Sequence, residues 1–164
     1  MGLLNNLFKK GEQNVYSDTD VVAVANGIFC PPQEISDPVF AGEMMGQTVA
    51  FKLEDGMIVS PANGKIEMIY STGHAFAVKM KDGTGLLIHI GVNTVNMEGK
   101  GFKKLVSEGD MVRAGQPIVK VDLDIVQAAG YDSITMLIIA EPVEEKKMQF
   151  ADYGNVCKGQ VIGQ

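Results

Sequence analysis

The two histidines of this chain, His74 and His89, are the residues best suited to chemistry. They lie fifteen positions apart in two neighbouring apolar segments, "STGHAFAVKM" and "LLIHIGVNTV". The dipeptide Asp82-Gly83 between the segments is typical of a β-hairpin turn. In a hairpin around that turn, two residues lie opposite one another when their numbers add up to about 165. The numbers of His74 and His89 add up to 163, so the two residues are expected to be close neighbours across the hairpin. The sequence therefore predicts two imidazoles side by side on one face of a sheet.

Two adjacent imidazoles suit several functions, which the residues alone leave open. An imidazole of pKa ~6.5 is largely neutral at pH 7 and can accept a phosphoryl group, while the second ring donates a hydrogen bond to it. The pair also supplies two of the four ligands of a zinc shell, so a zinc site would need ligands from a partner. A third hypothesis is a swinging-arm carrier on Lys79, since "VKMK" faintly resembles a biotin-acceptor motif. The alternative is two unrelated histidines, each bonded to backbone.

The elements that must position these residues are mostly strands. Short apolar runs alternate with Gly-containing turns from residue 21 onward, and a strand-turn-strand pattern repeats: "VAVANGIF" at 22–29, "IVSPANGKI" at 58–66 and, more loosely, "GNVCKGQVI" at 154–162. Such repeats are typical of a folded-over antiparallel β-sandwich built from duplicated units. We therefore predict an all-β fold with only two short helices. The predicted strands span 21–29, 48–53, 56–70, 74–80, 85–92, 117–123 and 134–140, and the predicted helices span 124–130 and 142–154.

Composition narrows the class of protein. The chain has 164 residues, of which 46% are hydrophobic, as expected of one globular domain. A net charge of -6 gives no electrostatic support to nucleic-acid binding. Cys30 and Cys157 form no CxxC pair, and no secretion signal precedes them, so we predict reduced thiols in a cytoplasmic protein.

The first twenty residues differ from the rest and are predicted to be a flexible tail before a domain at 21–164. Leu3, Leu4, Leu7 and Phe8 fall at helical spacing, with Lys9 and Lys10 after them. This pattern suits either a short interfacial helix in weak contact with an anionic membrane or a frayed tail with one incidental turn.

The motifs resemble a known family. "DPVFAGEMMGQTVAF", "IVSPANGKIEMIYSTGHA" and "LLIHIGVNTVNMEGKGFKKLVSEGDMVRAGQPIVKVDL" are similar to the glucose-class IIA domain of the bacterial phosphoenolpyruvate-dependent sugar phosphotransferase system. The resemblance runs from about residue 21 to 162. It implies an antiparallel β-sandwich of the duplicated hybrid motif type, in agreement with the repeats.

The resemblance also implies a role for each site residue. His89 would accept a phosphoryl group from the carrier protein HPr and pass it to a cysteine of a IIB domain. His74 would hydrogen-bond the phosphoryl group, and Thr72 would orient His74. No cofactor is implied, although His74 and His89 would be available to a zinc ion at a partner interface. The implied docking patch for both partners is exposed and apolar, formed by Val39, Phe40, Met44, Met45, Tyr70, Val92 and Val95.

The chain departs from the family pattern in two places. Gln47-Thr48 follows Gly46 where Asp-Gly is usual, and Asn93 stands where an aspartate is usual. Because Asn93 carries no charge, Asp37 becomes the expected anionic contact for a basic partner. Some family members bind and inhibit other proteins while unphosphorylated, so a regulatory binding module is the alternative function.

Overall fold

The fold is built almost entirely from short strands. The computed structural model describes residues 15–143 and 147–164. The strands are β1 Val21–Val22, β2 Gly27–Cys30, β3 Gln47–Leu53, β4 Met57–Val59, β5 Gly64–Ile69, β6 Ala75–Met80, β7 Gly85–Ile90, β8 Phe102–Lys104, β9 Met111–Val112, β10 Pro117–Val121, β11 Thr135–Glu141, β12 Gly154–Val156 and β13 Val161–Gly163. The helices are α1 Pro38–Ala41 and α2 Leu123–Ala128, with 3-10 turns at Pro32–Glu34 and Thr94–Met97.

The strands form one large antiparallel sheet and two small ones. The large sheet has eight strands in the order β12-β2-β3-β11-β7-β6-β5-β9, and the small sheets are β4-β10-β8 and β1-β13. One hydrophobic core draws residues from all three sheets, including Phe51 and Phe76 of the large sheet, Ile58 and Ile118 of the three-stranded sheet, and Val21 of the two-stranded sheet. The prediction of an antiparallel β-sandwich is therefore confirmed.

The repeated sequence units are strand-turn-strand units that cross between sheets. The first unit leads from β1 in a small sheet to β2 in the large one, and the second leads from β4 to β5 in the same way. The third runs in the opposite sense, from β12 to β13. The first two units also bond to each other, because Val22 N donates to Pro61 O at 2.8 Å and Val59 N donates to Val24 O at 2.8 Å. The duplication thus joins the layers of the sandwich.

The predicted helix at 124–130 is confirmed as α2, but the predicted helix at 142–154 is wrong. The described residues of that stretch are extended or irregular: Phe150 forms a β-bridge with Gly163, and β12 begins at Gly154. Tertiary bonds replace helical ones there, since the Gln47 side chain donates to Met148 O and accepts from Met148 N, both at 2.8 Å. Helical propensity was overridden by these contacts.

The segment directly before the predicted domain boundary contacts the sandwich. The Tyr16 hydroxyl donates to Gly159 O at 2.7 Å. The carboxylate of Asp20 accepts from Ser17 N at 2.8 Å and from the side chain of Gln164 at 3.1 Å. The predicted interfacial helix at 1–10 lies outside the described residues and stays a prediction. In the part of the chain that the structure describes, no helix is long and apolar enough to cross a bilayer.

The Gln47 amide is expected to hold the 147–150 segment on the sandwich. Replacing Gln47 with Ala removes two hydrogen bonds, which should lower the free energy of unfolding by about 1–3 kcal/mol. The Met148 amide proton should then exchange with solvent faster, because it loses its acceptor. Urea unfolding and hydrogen exchange measure the two effects. The matched control is Gln127→Ala on the exposed side of α2; unchanged protection of Met148 in Gln47→Ala would contradict this role.

Candidate functional site

The two histidines meet at one end of the β6–β7 hairpin. His89 alternates with the buried Ile88 and Ile90 on β7, so its side chain leaves the large core on the other face of the sheet. Ala75, not His74, lies directly opposite His89, so the pairing is one residue away from the predicted register. His74 immediately precedes β6, where the chain turns, and its ring centroid lies 5.2 Å from that of His89 at an interplanar angle of 78°. The prediction of adjacent imidazoles is confirmed.

The His74 ring is held on two sides. Only 4% of the residue is exposed, and the ring stacks on Tyr70 with centroids 5.0 Å apart and planes 16° from parallel. Its Nδ1 atom lies 2.5 Å from the Thr72 hydroxyl. Burial, assisted by the neighbouring His89, lowers the pKa of His74 to about 4. His74 is therefore a neutral, fixed ring at neutral pH.

The His89 ring is held by one backbone carbonyl. Its Nδ1 atom lies 2.8 Å from Gly91 O. A carbonyl oxygen only accepts, so Nδ1 carries the proton and Nε2 keeps its lone pair. Burial lowers the pKa of His89, against the opposing effects of the Gly91 hydrogen bond and the charge of Asp37. The half-buried ring thus presents a neutral, unprotonated nitrogen, which is the form of a nucleophile.

Gly91 is required by the backbone of the loop. It adopts φ +80°, and a Cβ atom there would lie 2.4 Å from the Thr94 methyl and 2.9 Å from Asp132 O. Its carbonyl is also the functional partner that the sequence did not identify. Only a glycine two residues after the histidine pointed to it.

Two of the apolar side chains predicted for the docking patch, Phe40 and Tyr70, contact the histidines, and one predicted member is buried. Phe40 is half-buried, and its ring centroid lies 5.0 Å from that of His89. Val92 is only 8% exposed and belongs to a small buried cluster with Ile134 and Met136, so its placement in an exposed patch was wrong: it supports the site from below. The remaining predicted members are each at least 42% exposed: Val39, Met44, Met45, Tyr70 and Val95. Together with Phe40 they are called the apolar patch below.

The two polar residues predicted for docking lie on the segments that carry the apolar patch. Asp37 caps α1, because its Oδ1 accepts from Val39 N at 2.8 Å. Asn93 is exposed and has left-handed backbone angles of φ 61° and ψ 17°, a conformation in which asparagine and aspartate are both tolerated. An aspartate at this position would therefore fit the same loop.

The competing hypotheses gain little from the structure. Lys79 lies within β6 rather than at the hairpin tip, and its Nζ lies 2.5 Å from Glu141 and 3.7 Å from Glu67, which does not suit a swinging arm. Within residues 15–143 and 147–164, no group of three or more His, Cys, Asp and Glu side chains is placed to hold a metal ion. A groove of about 950 Å³ bordered by Lys65 and Arg113 contains neither histidine. That groove also shares no residue with the apolar patch.

Acid should destabilise the protein through the buried His74. The pKa of His74 is about 4 in the folded chain and ~6.5 when unfolded, so the unfolded chain binds more protons between these values. The free energy of unfolding should therefore fall by about 2 kcal/mol from this group between pH 7 and pH 5. His74→Gln should remove that part of the pH dependence, as measured by urea unfolding at both pH values. Because the carboxylates remain in both proteins, an equal pH dependence would show that His74 does not contribute.

Comparison with known proteins places this site in a family. The sequence model described as "phosphoenolpyruvate-dependent sugar phosphotransferase system, EIIA 1" matches residues 19–144, which include both histidines. A glucose-specific EIIA component of Bacillus cereus is 41% identical over 81% of this chain and 82% of its own length. One of Oceanobacillus iheyensis is 35% identical over 96% of this chain and 95% of its own.

One further relative has a solved structure, and another is a longer chain that matches this one over part of its length. The solved structure of glucose permease IIA from Mycoplasma capricolum superposes with a TM-score of 0.82 at 29% identity, over 88% of this chain and 93% of its own. A glucose-specific EIICBA component of Staphylococcus carnosus matches 92% of this chain with 23% of its own length, at 35% identity. The chain therefore belongs to the EIIA family of the phosphoenolpyruvate-dependent sugar phosphotransferase system and is a phosphocarrier of such a system.

Proposed function

We propose that His89 is the phosphoryl acceptor of this phosphocarrier, that HPr is the donor, and that a cysteine of a IIB domain is the next acceptor. The observation that carries the assignment is the hydrogen bond from His89 Nδ1 to Gly91 O, because it leaves Nε2 unprotonated beside a second imidazole. His74 is the poorer nucleophile, since 4% exposure and the stacked Tyr70 limit access to its ring.

The transfer exchanges one phosphorus–nitrogen bond for another. The Nε2 lone pair of His89 attacks phosphorus of the phosphorylated donor histidine, the bond from phosphorus to the donor nitrogen breaks, and its electron pair stays on the donor ring. The product ring carries the phosphoryl group on Nε2 and keeps its proton on Nδ1. The Gly91 carbonyl accepts that proton's hydrogen bond throughout, so it offsets the positive charge that develops on the ring.

His74 stabilises the transferred group without trapping it. When the Thr72 hydroxyl donates to Nδ1 of His74, the remaining proton of that ring lies on Nε2 and is available to a phosphoryl oxygen. The pKa of His74 is about 4, so the ring donates as a neutral group at neutral pH. A neutral donor makes a weaker hydrogen bond to an anion than a full cation does. The phosphoryl group is thereby oriented and stays transferable to a thiolate.

Both partners are proposed to dock on the apolar patch in the cytoplasm, one after the other. Met44 is 75% exposed and Met45 is 45% exposed, and flexible thioether side chains adapt to differently shaped surfaces. Asp37 supplies a carboxylate at the edge of the patch for a basic partner. The proposed chemistry needs no cofactor. A zinc ion between His74, His89 and ligands of a partner stays a prediction.

Phosphorylation assays on two single variants test the assignment. Incubated with phosphoenolpyruvate, enzyme I and HPr, the wild-type chain should gain one acid-labile, base-stable phosphate. His89→Ala should gain none, because no other nucleophile replaces Nε2. His74→Ala should still accept the group from HPr and pass it to a IIB domain at least tenfold more slowly, the effect of removing a donor that stabilises charge.

Thr72 gives this test a matched pair of controls. Thr72→Ser keeps the hydroxyl and should transfer normally, whereas Thr72→Val keeps the shape and should resemble His74→Ala in its onward step. Labelled phosphate on His89→Ala would exclude His89 as the acceptor. A normal onward rate in both His74→Ala and Thr72→Val would exclude the proposed role of His74.

Salt dependence distinguishes the apolar patch from its charged edge. Asn93→Asp adds a carboxylate that should speed transfer from HPr by up to about fivefold, less at high salt, since exposed ion pairs are worth ~0.2–1 kcal/mol. Phe40→Ala removes a desolvated aromatic anchor and should slow transfer by about 30-fold with little salt dependence. Stopped-flow rates at low and high salt measure both. Slower transfer by Asn93→Asp, or an unchanged rate for Phe40→Ala, would place the docking surface elsewhere.

A further inference from the structure

The loop after His89 is fixed by bonds to a distant segment. The orientation of the Gly91 carbonyl determines which nitrogen of His89 carries the proton, yet glycine is the residue least able to fix its own backbone. Two consecutive peptide groups, Ile90–Gly91 and Gly91–Val92, lie in this loop. Because each trans peptide is planar, its N–H and C=O point in opposite directions, and holding one of them orients the other.

The first peptide group is held at both ends. Gly91 N donates to Ile134 O at 3.0 Å. On the other side of the same plane, Ile90 O accepts from the hydroxyl of Thr94. Thr94 is only 1% exposed, and its methyl group fills the position that a Gly91 side chain would take. The plane of this peptide therefore has no freedom to rotate without breaking a buried hydrogen bond.

The second peptide group carries the functional carbonyl. Val92 N donates to Asp132 O at 3.0 Å, and Gly91 O on the opposite side of the plane accepts from His89 Nδ1 at 2.8 Å. Holding the Val92 N–H against Asp132 O thus directs the Gly91 carbonyl toward the imidazole. Both bonds to the loop come from residues 132–134, which directly precede β11.

The Asp132 side chain in turn fixes that segment. Its Oδ1 accepts from Ile134 N at 2.9 Å, which closes a local turn around the peptide group that carries the Asp132 carbonyl and so restrains the direction of that carbonyl. Asp132 is exposed, while Ile134 is 4% exposed and packs in the small cluster beneath the site. The turn is therefore anchored on one side by Ile134. On the other side it is held by the exposed Asp132 carboxylate and by the Thr135 hydroxyl, which donates to Ser133 O at 3.1 Å.

We propose that Asp132 and Thr94 are positioning residues that set the protonation form of His89 through the Gly91 carbonyl. This inference rests on the proposed function, in which Nε2 of His89 is the nucleophile. Asp132 acts through its turn and Thr94 acts through the Ile90–Gly91 peptide. Neither residue is assigned a contact with the phosphoryl group. Loss of the Asp132 carboxyl group or of the Thr94 hydroxyl should raise the share of His89 that is protonated on Nε2.

A pair of Asp132 variants separates the turn from the charge. Asp132→Asn removes the charge but keeps an oxygen that accepts from Ile134 N, whereas Asp132→Ala removes both. In two-bond ¹H–¹⁵N NMR spectra of the unphosphorylated full-length protein, the Nε2-protonated fraction of His89 should rise about threefold to tenfold in Asp132→Ala, the effect of one weakened hydrogen bond. Asp132→Asn should match the wild type. The chain has only two histidines, and His74→Gln assigns their signals.

A pair of Thr94 variants tests the inference independently, and a third variant controls for the loss of stability. Thr94→Val keeps the shape and loses the hydroxyl, so it should change the His89 spectrum as Asp132→Ala does, and Thr94→Ser should restore it. Ser60→Ala removes a buried hydroxyl that donates to Ala62 O at 2.7 Å in another part of the fold, and should leave the spectrum unchanged at a similar loss of stability. An unaltered His89 spectrum in Asp132→Ala would overturn the inference, even if Thr94→Val fails to fold.

Transfer rates separate this inference from the proposed function. If both hold, the rate of phosphorylation by HPr should fall in Asp132→Ala in proportion to the loss of the Nδ1-protonated form. If a measurable share of the Nδ1-protonated form is lost and phosphorylation does not fall with it, the positioning role stands and His89 Nε2 is not the nucleophile. If phosphorylation falls while the spectrum is unchanged, the positioning role is wrong, whatever the identity of the acceptor.

Discussion

One hydrogen bond determines what this site can do. A free imidazole exchanges its proton between two nitrogens, and only the form protonated on Nδ1 presents Nε2 to a phosphoryl donor. In this chain the Gly91 carbonyl, 2.8 Å from His89 Nδ1, selects that form. In the function proposed above, the same bond would also support the phosphorylated ring, because the proton on Nδ1 would remain shared with an acceptor. Gly91, the β6–β7 hairpin and residues 132–134 before β11 together fix the direction of this one carbonyl.

The second constraint is a balance between burial and access. Burial lowers the pKa of both imidazoles and so keeps them neutral, but a phosphocarrier must expose its nucleophile to large partners. The structure divides the two demands between the rings. His74 is 4% exposed and stacked on Tyr70, whereas His89 is half-buried beside Phe40 at the margin of the apolar patch. His74 is therefore held in place and shielded, whereas the His89 ring stays partly accessible to solvent.

The sandwich supplies rigidity from both faces of the large sheet. Ile88 and Ile90 alternate with His89 on β7 and lie in the main core, so the strand that carries His89 is anchored by fully buried neighbours. On the opposite face, the small cluster containing Val92 and Ile134 packs beneath Phe40 and the loop after His89. Docking by a partner therefore meets a surface whose backbone is already fixed, which reduces the entropy lost on binding.

The sequence by itself determined the class of fold, the hairpin and the neighbouring positions of the two histidines, because these depend on local patterns. Alternating apolar residues indicate strands, Asp82-Gly83 indicates a turn, and a hairpin around that turn brings the two segments that contain the histidines together. Tertiary structure alone decided the rest. The register is one residue away from expectation because the turn between β6 and β7 sets it, with Gly83 N donating to Met80 O at 2.9 Å and Met80 N donating to Thr84 O at 2.8 Å. The stretch 142–154 is not helical in its described residues, since Gln47, about a hundred positions earlier, bonds Met148. Asp132 could not be linked to His89 from sequence, because their connection passes through two peptide groups whose orientation only long-range hydrogen bonds fix.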